Sequence, residues 1–187
     1  MQNKNRYFLF GAMATLVVGS PAWAAGKPSQ AEINAIVVAC QRVENDYAFY
    51  RDRRDADAFA NIFTEDGEWG RSSGAVLKGR KAIHDYIVKL AAQQQEVHMQ
   101  LTTTIQITPV DATSATGVSY AMVMQAPVPQ AGLPAVNGGF QVASESRSTY
   151  KLVNNECKIA KREYTTLFVD AGEAKKNEEA KKNAKSP

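Results

Sequence analysis

The sequence predicts an α+β domain in which three helices come first and a mostly antiparallel sheet follows. Apolar residues recur at helical spacing in the first half of the chain, whereas from about residue 97 the chain alternates with period two, beginning with a segment rich in Thr and Ile. Short turns such as Asn154-Asn155 separate these later segments. Helices followed by strands are typical of a domain whose helices pack on one face of a sheet.

The first 24 residues have the features of a secretion signal. Lys4 and Arg6 form a cationic head, an apolar run covers residues 7–18, and Ala22-Trp23-Ala24 is a small-x-small exit. The apolar run is shorter than the roughly 20 residues that cross a bilayer as a helix, so no retained membrane anchor is expected. Cleavage after Ala24 would deliver a periplasmic or secreted protein.

The charge that remains after cleavage argues against nucleic acid as a partner. Without Lys4 and Arg6, 20 basic and 19 acidic residues remain, and no clustered basic face with interleaved aromatic residues is evident. Residues 25–170 have the size of one domain. Residues 171–187 are charged and contain no aromatic or large aliphatic residue, so we expect a frayed helix or a disordered tail there.

The first helix is predicted from a capping box at Ser29 and Glu32 and from the stripe that follows it. The apolar stripe consists of Ile33, Ile36, Val37, Cys40, Val43 and Tyr47. Glu44 is assigned to the rest of the helix surface, together with the other polar residues.

Two shorter helices and a strand complete the first half. Asp55 is the predicted cap of a second helix from Ala56 to Phe63, and a third helix is expected from Arg80 to Gln95. Between them, Glu68 to Arg71 has the pattern of a short strand.

Four long strands are predicted in the second half, where β-branched residues alternate with others. They are Val97–Thr108, Ala115–Gln125, Phe140–Val153 and Cys157–Phe168. The loop from Ala126 to Gly139, with three prolines and three glycines, is either a binding element or a passive insertion. Cys40 and Cys157 would form a disulfide in an oxidising compartment or remain as two buried thiols.

Several motifs occur in a recognisable order between about residues 33 and 165. They are Tyr47-x4-Asp52-x2-Asp55-x3-Phe59-x3-Phe63-Thr-Glu-Asp66-Gly, Leu77-x-Gly79-Arg-x-Ala82-Ile, His98 before a Thr-rich strand, and Tyr150-x6-Cys157-Lys-Ile159-Ala160-x-Arg162. This order resembles the SnoaL-like group of the nuclear transport factor 2-like superfamily. The resemblance implies a cone-shaped roll of three N-terminal helices on a curved, mostly antiparallel sheet.

The resemblance also implies a catalytic pair, Asp52 and His98, facing each other inside the cone. An imidazole can take a proton and return it, while a carboxylate fixes its tautomer. From His98 to Ile105 and Ile107 the chain is about two residues longer than in the family, so a bulge is needed to keep His98 in place. His98 alternates with Gln100, Thr102 and Thr104, a polar row that suits a pocket wall.

Four further residues are candidates for substrate binding: Tyr47, Trp69, Tyr120 and Ser146. Tyr47 and Trp69 could equally be core residues, and Tyr120 is considered as a hydroxyl donor. Ser146 belongs to a strand face with Ser144, Ser148 and Tyr150 that the resemblance assigns to the inside of the cone. Glu145 and Arg147 are then on the outer face, through which a homodimer is expected.

The function that these residues favour is a cofactor-independent lyase or isomerase acting on a small hydrophobic, cyclic or aromatic molecule. With two histidines and no Cys/His cluster, no metal site is recognisable and no cofactor is expected. Two alternatives stay open: a non-catalytic periplasmic binding protein for a hydrophobic ligand, and a dimeric assembly module whose pocket is vestigial.

Overall fold

A computed structural model describes residues 28–72, 74–93, 96–136, 139–172 and 174–175 of the chain. The signal segment and all but four residues of the charged tail lie outside the described residues. The elements are α1 (Gln30–Arg53), α2 (Ala56–Asn61), β1 (Phe63–Arg71), β2 (Val76–Lys78), α3 (Arg80–Ala92), β3 (Glu96–Asp111), β4 (Ser114–Pro127), β5 (Phe140–Val153) and β6 (Glu156–Val169). The predicted α+β order is confirmed.

Helix α1 begins and ends as its terminal residues dictate. The Ser29 hydroxyl accepts from the Glu32 backbone N–H while the Glu32 carboxylate accepts from the Ser29 backbone N–H, which completes the capping box. The helix ends where Arg54 adopts a left-handed conformation with φ 53°. None of the described helices is both long and apolar enough to cross a bilayer.

The boundary between α2 and β1 differs from the prediction. The second helix ends at Asn61 rather than Phe63, and the strand predicted for Glu68–Arg71 begins already at Phe63. Phe63 is fully buried and pairs with Ile159 of β6. Tertiary pairing with a distant strand therefore extends β1 into residues whose local pattern suited a helix.

The six strands form one sheet in the order β2-β1-β6-β5-β4-β3. Strands β1 and β6 are parallel, and the other neighbours are antiparallel. Helix α1 packs against β3 and β6. Between them lies the apolar core, which includes Ile36, Cys40, Tyr47, Phe59, Phe63, Trp69, Ile83, Ile87, Tyr150 and Ile159.

A disulfide joins α1 to β6 within this core. Cys40 and Cys157 are both buried, with their Cα atoms 5.2 Å apart, a separation within the range that a bridge requires. Of the two states considered for these cysteines, the structure has the disulfide.

Strand β3 carries the predicted bulge. Thr103 pairs with Tyr120 but Gln106 pairs with Val118, so β3 has one extra residue between them. Thr104 lies in this bulge at φ 51°. Because one extra residue reverses the side-chain alternation, His98 before the bulge and Ile107 after it face the same side of the sheet.

Candidate active site

Asp52 and His98 lie in hydrogen-bond contact, as the resemblance implied. Nδ1 of His98 is 2.8 Å from Oδ1 of Asp52, and the backbone N–H of Gln100 donates to both carboxylate oxygens at 3.1 Å. The side chains of His98 and Asp52 are 6% and 20% exposed. Asp52 is thus held by two groups of β3, and its contact with Nδ1 favours the tautomer whose Nε2 is free to accept a proton.

The position of each partner follows from its element. Asp52 is in the last turn of α1, beyond the apolar stripe, so its carboxylate can leave the core and reach the first residues of β3. The bulge at Thr104 keeps His98 on the inner face of β3. Nε2 of Gln100 donates to the Thr102 hydroxyl at 3.2 Å, so the polar row continues along the strand. Thr104, predicted as part of that row, is exposed because it lies in the bulge.

The His98 ring lines a cavity of about 260 Å³ between α1, β1 and the inner face of β3–β6. Only Trp69, Ala121, Val123 and Val142 among its sixteen lining residues are apolar without a hydroxyl or amide group. Gln100, Gln125 and Gln141 supply amide groups, and Arg51, Arg71 and Arg162 supply positive charge. The prediction of a hydrophobic pocket is therefore wrong, because most residues of the cavity wall are polar.

Three of the four predicted substrate-binding residues line this cavity. Tyr47, Trp69 and Ser146 are lining residues, and each is less than 10% exposed. Tyr120 does not line it, because it alternates with the buried Ser119 and Ala121 and lies on the outer face of β4, 41% exposed. The prediction that Tyr120 donates into the pocket is wrong for that reason.

A buried polar network beneath the cavity was missed from the sequence. Glu44, expected at the solvated surface of α1, is fully buried and forms an ion pair with Arg162, which is 1% exposed. Tyr150 donates to the same carboxylate at 2.6 Å, and the Ser119 hydroxyl donates to it at 2.8 Å. The signal was present, since Glu44 follows Ile36 and Cys40 at intervals of four residues on the buried face.

Arg162 connects this network to the cavity wall. Its Nη1 also donates to the Ser148 hydroxyl at 3.1 Å, and its guanidinium lies 4.2 Å from the centre of the Tyr47 ring. Its buried Nε has no acceptor among the described residues. Arg162 also lines the cavity, so its guanidinium contributes positive charge to the wall.

Tyr47 is kept as a neutral phenol at the cavity wall. Burial raises the pKa of Tyr47, and the opposing charges of Arg162 and Arg51 do not reverse this shift. Its ring packs against Phe59 at 5.0 Å and against Trp69 at 6.3 Å between centroids. Tyr47 is thus part of an aromatic cluster that supports one side of the cavity.

In the described part of the chain, no group of three or more His, Cys, Asp or Glu residues is arranged to hold a metal ion. His84 lies away from the cavity, between Asp57 and Asp85 on the surface of α3. His98 is therefore the histidine that lines the cavity, and Asp52 is its carboxylate partner.

These features define a cone-shaped α+β domain with a part-buried histidine–carboxylate pair at a polar cavity. The profile of the SnoaL-like domain matches residues 35–163, and the chain belongs to this family. No curated protein sequence matches the chain significantly.

Solved structures with the same fold share little sequence with the chain. One of them is Rv3472, a protein of unknown function from Mycobacterium tuberculosis that was solved as a single-substitution variant. It is 24% identical over 70% of this chain and 71% of the other, with a TM-score of 0.58. A candidate scytalone dehydratase from Novosphingobium aromaticivorans is 19% identical over 73% and 89% of the two chains, with a TM-score of 0.61. The hexachlorocyclohexane dehydrochlorinase LinA-type3 from Novosphingobium barchaimii is 18% identical over 76% and 93%, with a TM-score of 0.61. At these identities the likeness concerns the fold.

Proposed function

We propose that the protein is a cofactor-independent lyase or isomerase that removes a proton next to a carbonyl group of a small cyclic or aromatic molecule. The observation that carries this proposal is the Asp52–His98 pair, in which Nδ1 of His98 is engaged by the carboxylate while the ring lines a cavity. Two proteins of this fold are named for eliminations, a dehydratase and a dehydrochlorinase, which supports the same class of chemistry.

In the proposed reaction, Nε2 of His98 takes the proton from the carbon beside the carbonyl. The electron pair of that C–H bond moves toward the carbonyl oxygen, and Asp52 stabilises the imidazolium that forms. The guanidinium of Arg162, which lines the cavity, is the proposed source of positive charge for the developing oxyanion.

The second half of the reaction decides between elimination and isomerisation. In an elimination, the electron pair returns to form a carbon–carbon double bond and a hydroxyl or halide leaves the neighbouring carbon, with the proton from His98 lost to that hydroxyl or to solvent. In an isomerisation, His98 returns the proton to a different carbon. Tyr47, Trp69 and Tyr164 among the lining residues favour a flat or cyclic skeleton.

The test uses a panel of small cyclic and aromatic ketones that carry a β-hydroxyl or β-halogen group, followed by ¹H NMR in D₂O. The wild-type protein should exchange the α-proton or eliminate the leaving group in at least one compound. His98→Ala and Asp52→Asn should each lower the rate by about 10²-fold or more, with the double variant little worse than either single one. Affinity for the same compound should change far less than the rate.

The matched control is His84→Gln, which removes the other histidine of the chain at a site away from the cavity. It should leave the rate unchanged. Activity of His98→Ala within about threefold of wild type would refute the proton-transfer role. Binding of panel compounds without any exchange or elimination would favour the alternative of a non-catalytic binding protein.

We also propose that the protein works as an exported homodimer. The Cys40–Cys157 disulfide is of the kind that persists in oxidising compartments, which supports export. Exposed apolar residues on the outer face of the sheet support self-association, since such patches are typical of interfaces. They include Met99, Leu101, Tyr120, Met122 and Leu167, each between 41% and 48% exposed. Mass spectrometry should find Ala25 at the native N-terminus, and light scattering should give twice the mass of one chain.

A further inference from the structure

The wall of the cavity, as the described residues form it, carries basic residues but no acidic ones. Arg51, Arg71 and Arg162 are among the sixteen lining residues, whereas no Asp or Glu is. Asp52 lies behind His98 and is not itself a lining residue. A molecule in the cavity therefore meets positive charge and hydrogen-bond donors without a competing carboxylate at the wall.

The three arginines are not equivalent. The charge of Arg162 is balanced by the buried Glu44. Arg51 and Arg71 have no carboxylate within 4.0 Å in the described part of the chain; Arg71 lies 5.9 Å from the centre of the Tyr164 ring. Arg51 precedes Asp52 on α1, and Arg71 is the last residue of β1. Two uncompensated guanidinium groups therefore reach the same cavity from different elements.

Guanidinium groups match planar carboxylates, which accept two parallel N–H bonds in a fork. The neighbouring amide groups of Gln125 and Gln141 and the hydroxyl groups of Ser144 and Thr166 can donate to further oxygens. A purely hydrophobic molecule would displace water from the donors that it covers without supplying acceptors, which is unfavourable. The lining thus favours an oxygen-rich anion over an apolar molecule.

We propose that the substrate carries a carboxylate, bound by Arg51 and Arg71, in addition to the carbonyl that faces His98. This inference rests on the proposed function for the placement of the carbonyl, while the carboxylate site itself depends only on the two arginines. The substrate class is then a small cyclic or aromatic oxo acid. The carboxylate positions the molecule and takes no part in bond breaking.

The experiment compares two probes of nearly the same shape: benzoate, an anion with two acceptor oxygens, and benzamide, a neutral amide with one. Both are titrated into ¹⁵N-labelled protein, and dissociation constants are taken from amide chemical shifts. Wild-type protein should bind benzoate about tenfold more tightly than benzamide, the ratio expected for one charge-assisted contact. In Arg51→Gln/Arg71→Gln the preference should fall to within about threefold, with affinity for benzamide unchanged.

The matched control is Arg147→Gln, since this arginine lies on the outer face of β5 with a side chain 70% exposed. It should keep the full preference for benzoate. His98→Gln should keep it too, which separates anion binding at the arginines from binding at the imidazole. In wild-type protein, raising NaCl from about 20 to about 500 mM should weaken benzoate severalfold and leave benzamide unaffected. This salt titration tests the site even if the double variant does not fold.

Equal affinity for the two probes in wild type would overturn the inference, as would a preference that survives in the double variant. Phenyl phosphate binding more tightly than benzoate would overturn the assignment to a carboxylate. The proposed function fails by a different result, the retention of turnover in His98→Ala. If the protein prefers benzoate but turns over no substrate, the anion site is supported and the proposed lyase or isomerase activity is refuted.

Discussion

Two carboxylates of helix α1, those of Glu44 and Asp52, each contact a basic side chain, and the two contacts have different surroundings. Glu44 meets Arg162 where both are about 1% exposed, and Tyr150 and Ser119 also donate to its carboxylate. Asp52 lies two turns further along the same helix, roughly 12 Å on, and meets His98 beside a cavity. The first pair is enclosed by protein, whereas the second has one open side.

The difference shows how the middle and the C-terminal end of one helix can have different surroundings. Around Glu44, α1 is fixed to β6 by the Arg162 ion pair and, one turn earlier, by the Cys40–Cys157 disulfide. Around Asp52, α1 is joined to β3 by hydrogen bonds to His98 and Gln100. A group that exchanges protons with a substrate needs access, and a group that holds two elements together does not.

The largest effect on stability is expected from the disulfide. The Cys40→Ala/Cys157→Ala variant should lose up to about 5 kcal/mol of unfolding free energy in the chain-entropy description, because the bridge closes a loop of 117 residues. Urea unfolding with and without reductant measures this loss. Reductant should destabilise wild type and leave the double variant unchanged; a wild type insensitive to reductant would contradict the role given to the bridge.

The two carboxylates of α1 should then differ in their effect on folding. Glu44→Ala should lower the unfolding free energy by about 3–5 kcal/mol, since it leaves Arg162 charged, buried and unpaired. Asp52→Ala should lose only about 1–2 kcal/mol, because its partners reach solvent or the cavity. Urea unfolding of both variants measures the difference, and equal losses would show that the two positions on the helix do not differ as described.

The control for Glu44→Ala is Glu44→Met/Arg162→Met, which removes both charges together. It should be more stable than Glu44→Ala, because no buried charge is left without a partner. A double variant less stable than the single one would mean that the pair itself contributes net stability.

The smallest effect concerns the bulge that keeps His98 on the inner face of β3. Thr104 has φ 51°, a conformation that disfavours a Cβ atom by roughly 1–2 kcal/mol. Thr104→Gly should therefore be more stable than Thr104→Ala by about 1 kcal/mol. At Thr108, an exposed residue in the regular part of the same strand, the order should be reversed, since glycine weakens a strand interior. Thermal unfolding of the four variants would refute the strained bulge if both sites gave the same order.

Most of the fold could be predicted because its signals are local. The Ser29–Glu32 capping box, the apolar stripe of α1 and the alternation of β5 each involve residues close in sequence, and the observed bounds of β5, Phe140–Val153, equal the predicted ones. The start of β1 could not be predicted this way, because Phe63 joins the sheet through Ile159, almost a hundred residues away.

The site was predictable in part. Asp52, His98 and the strand face of Ser146 were found through the family resemblance and Tyr47 through its place on the apolar stripe of α1, whereas Trp69 was considered equally as a pocket wall and as a core residue. Tyr120 was wrongly assigned to the pocket because it was chosen for its hydroxyl group. In the alternation of β4 its neighbours Ser119 and Ala121 face inward, so Tyr120 faces outward. Glu44 was assigned to the surface because it is charged, although its spacing placed it on the buried face.

By itself, the sequence determined the order of helices and strands, the polar row that begins at His98 and the presence of two cysteines, since these depend on neighbouring residues or on composition. Only the tertiary structure decided that Cys40 meets Cys157, that Arg162 neutralises Glu44, and that Arg51 and Arg71 share one cavity. The reason is that a charge or a thiol has no fixed environment until distant segments pack against it. Residue type limits what a side chain can do, and packing decides which partner it meets.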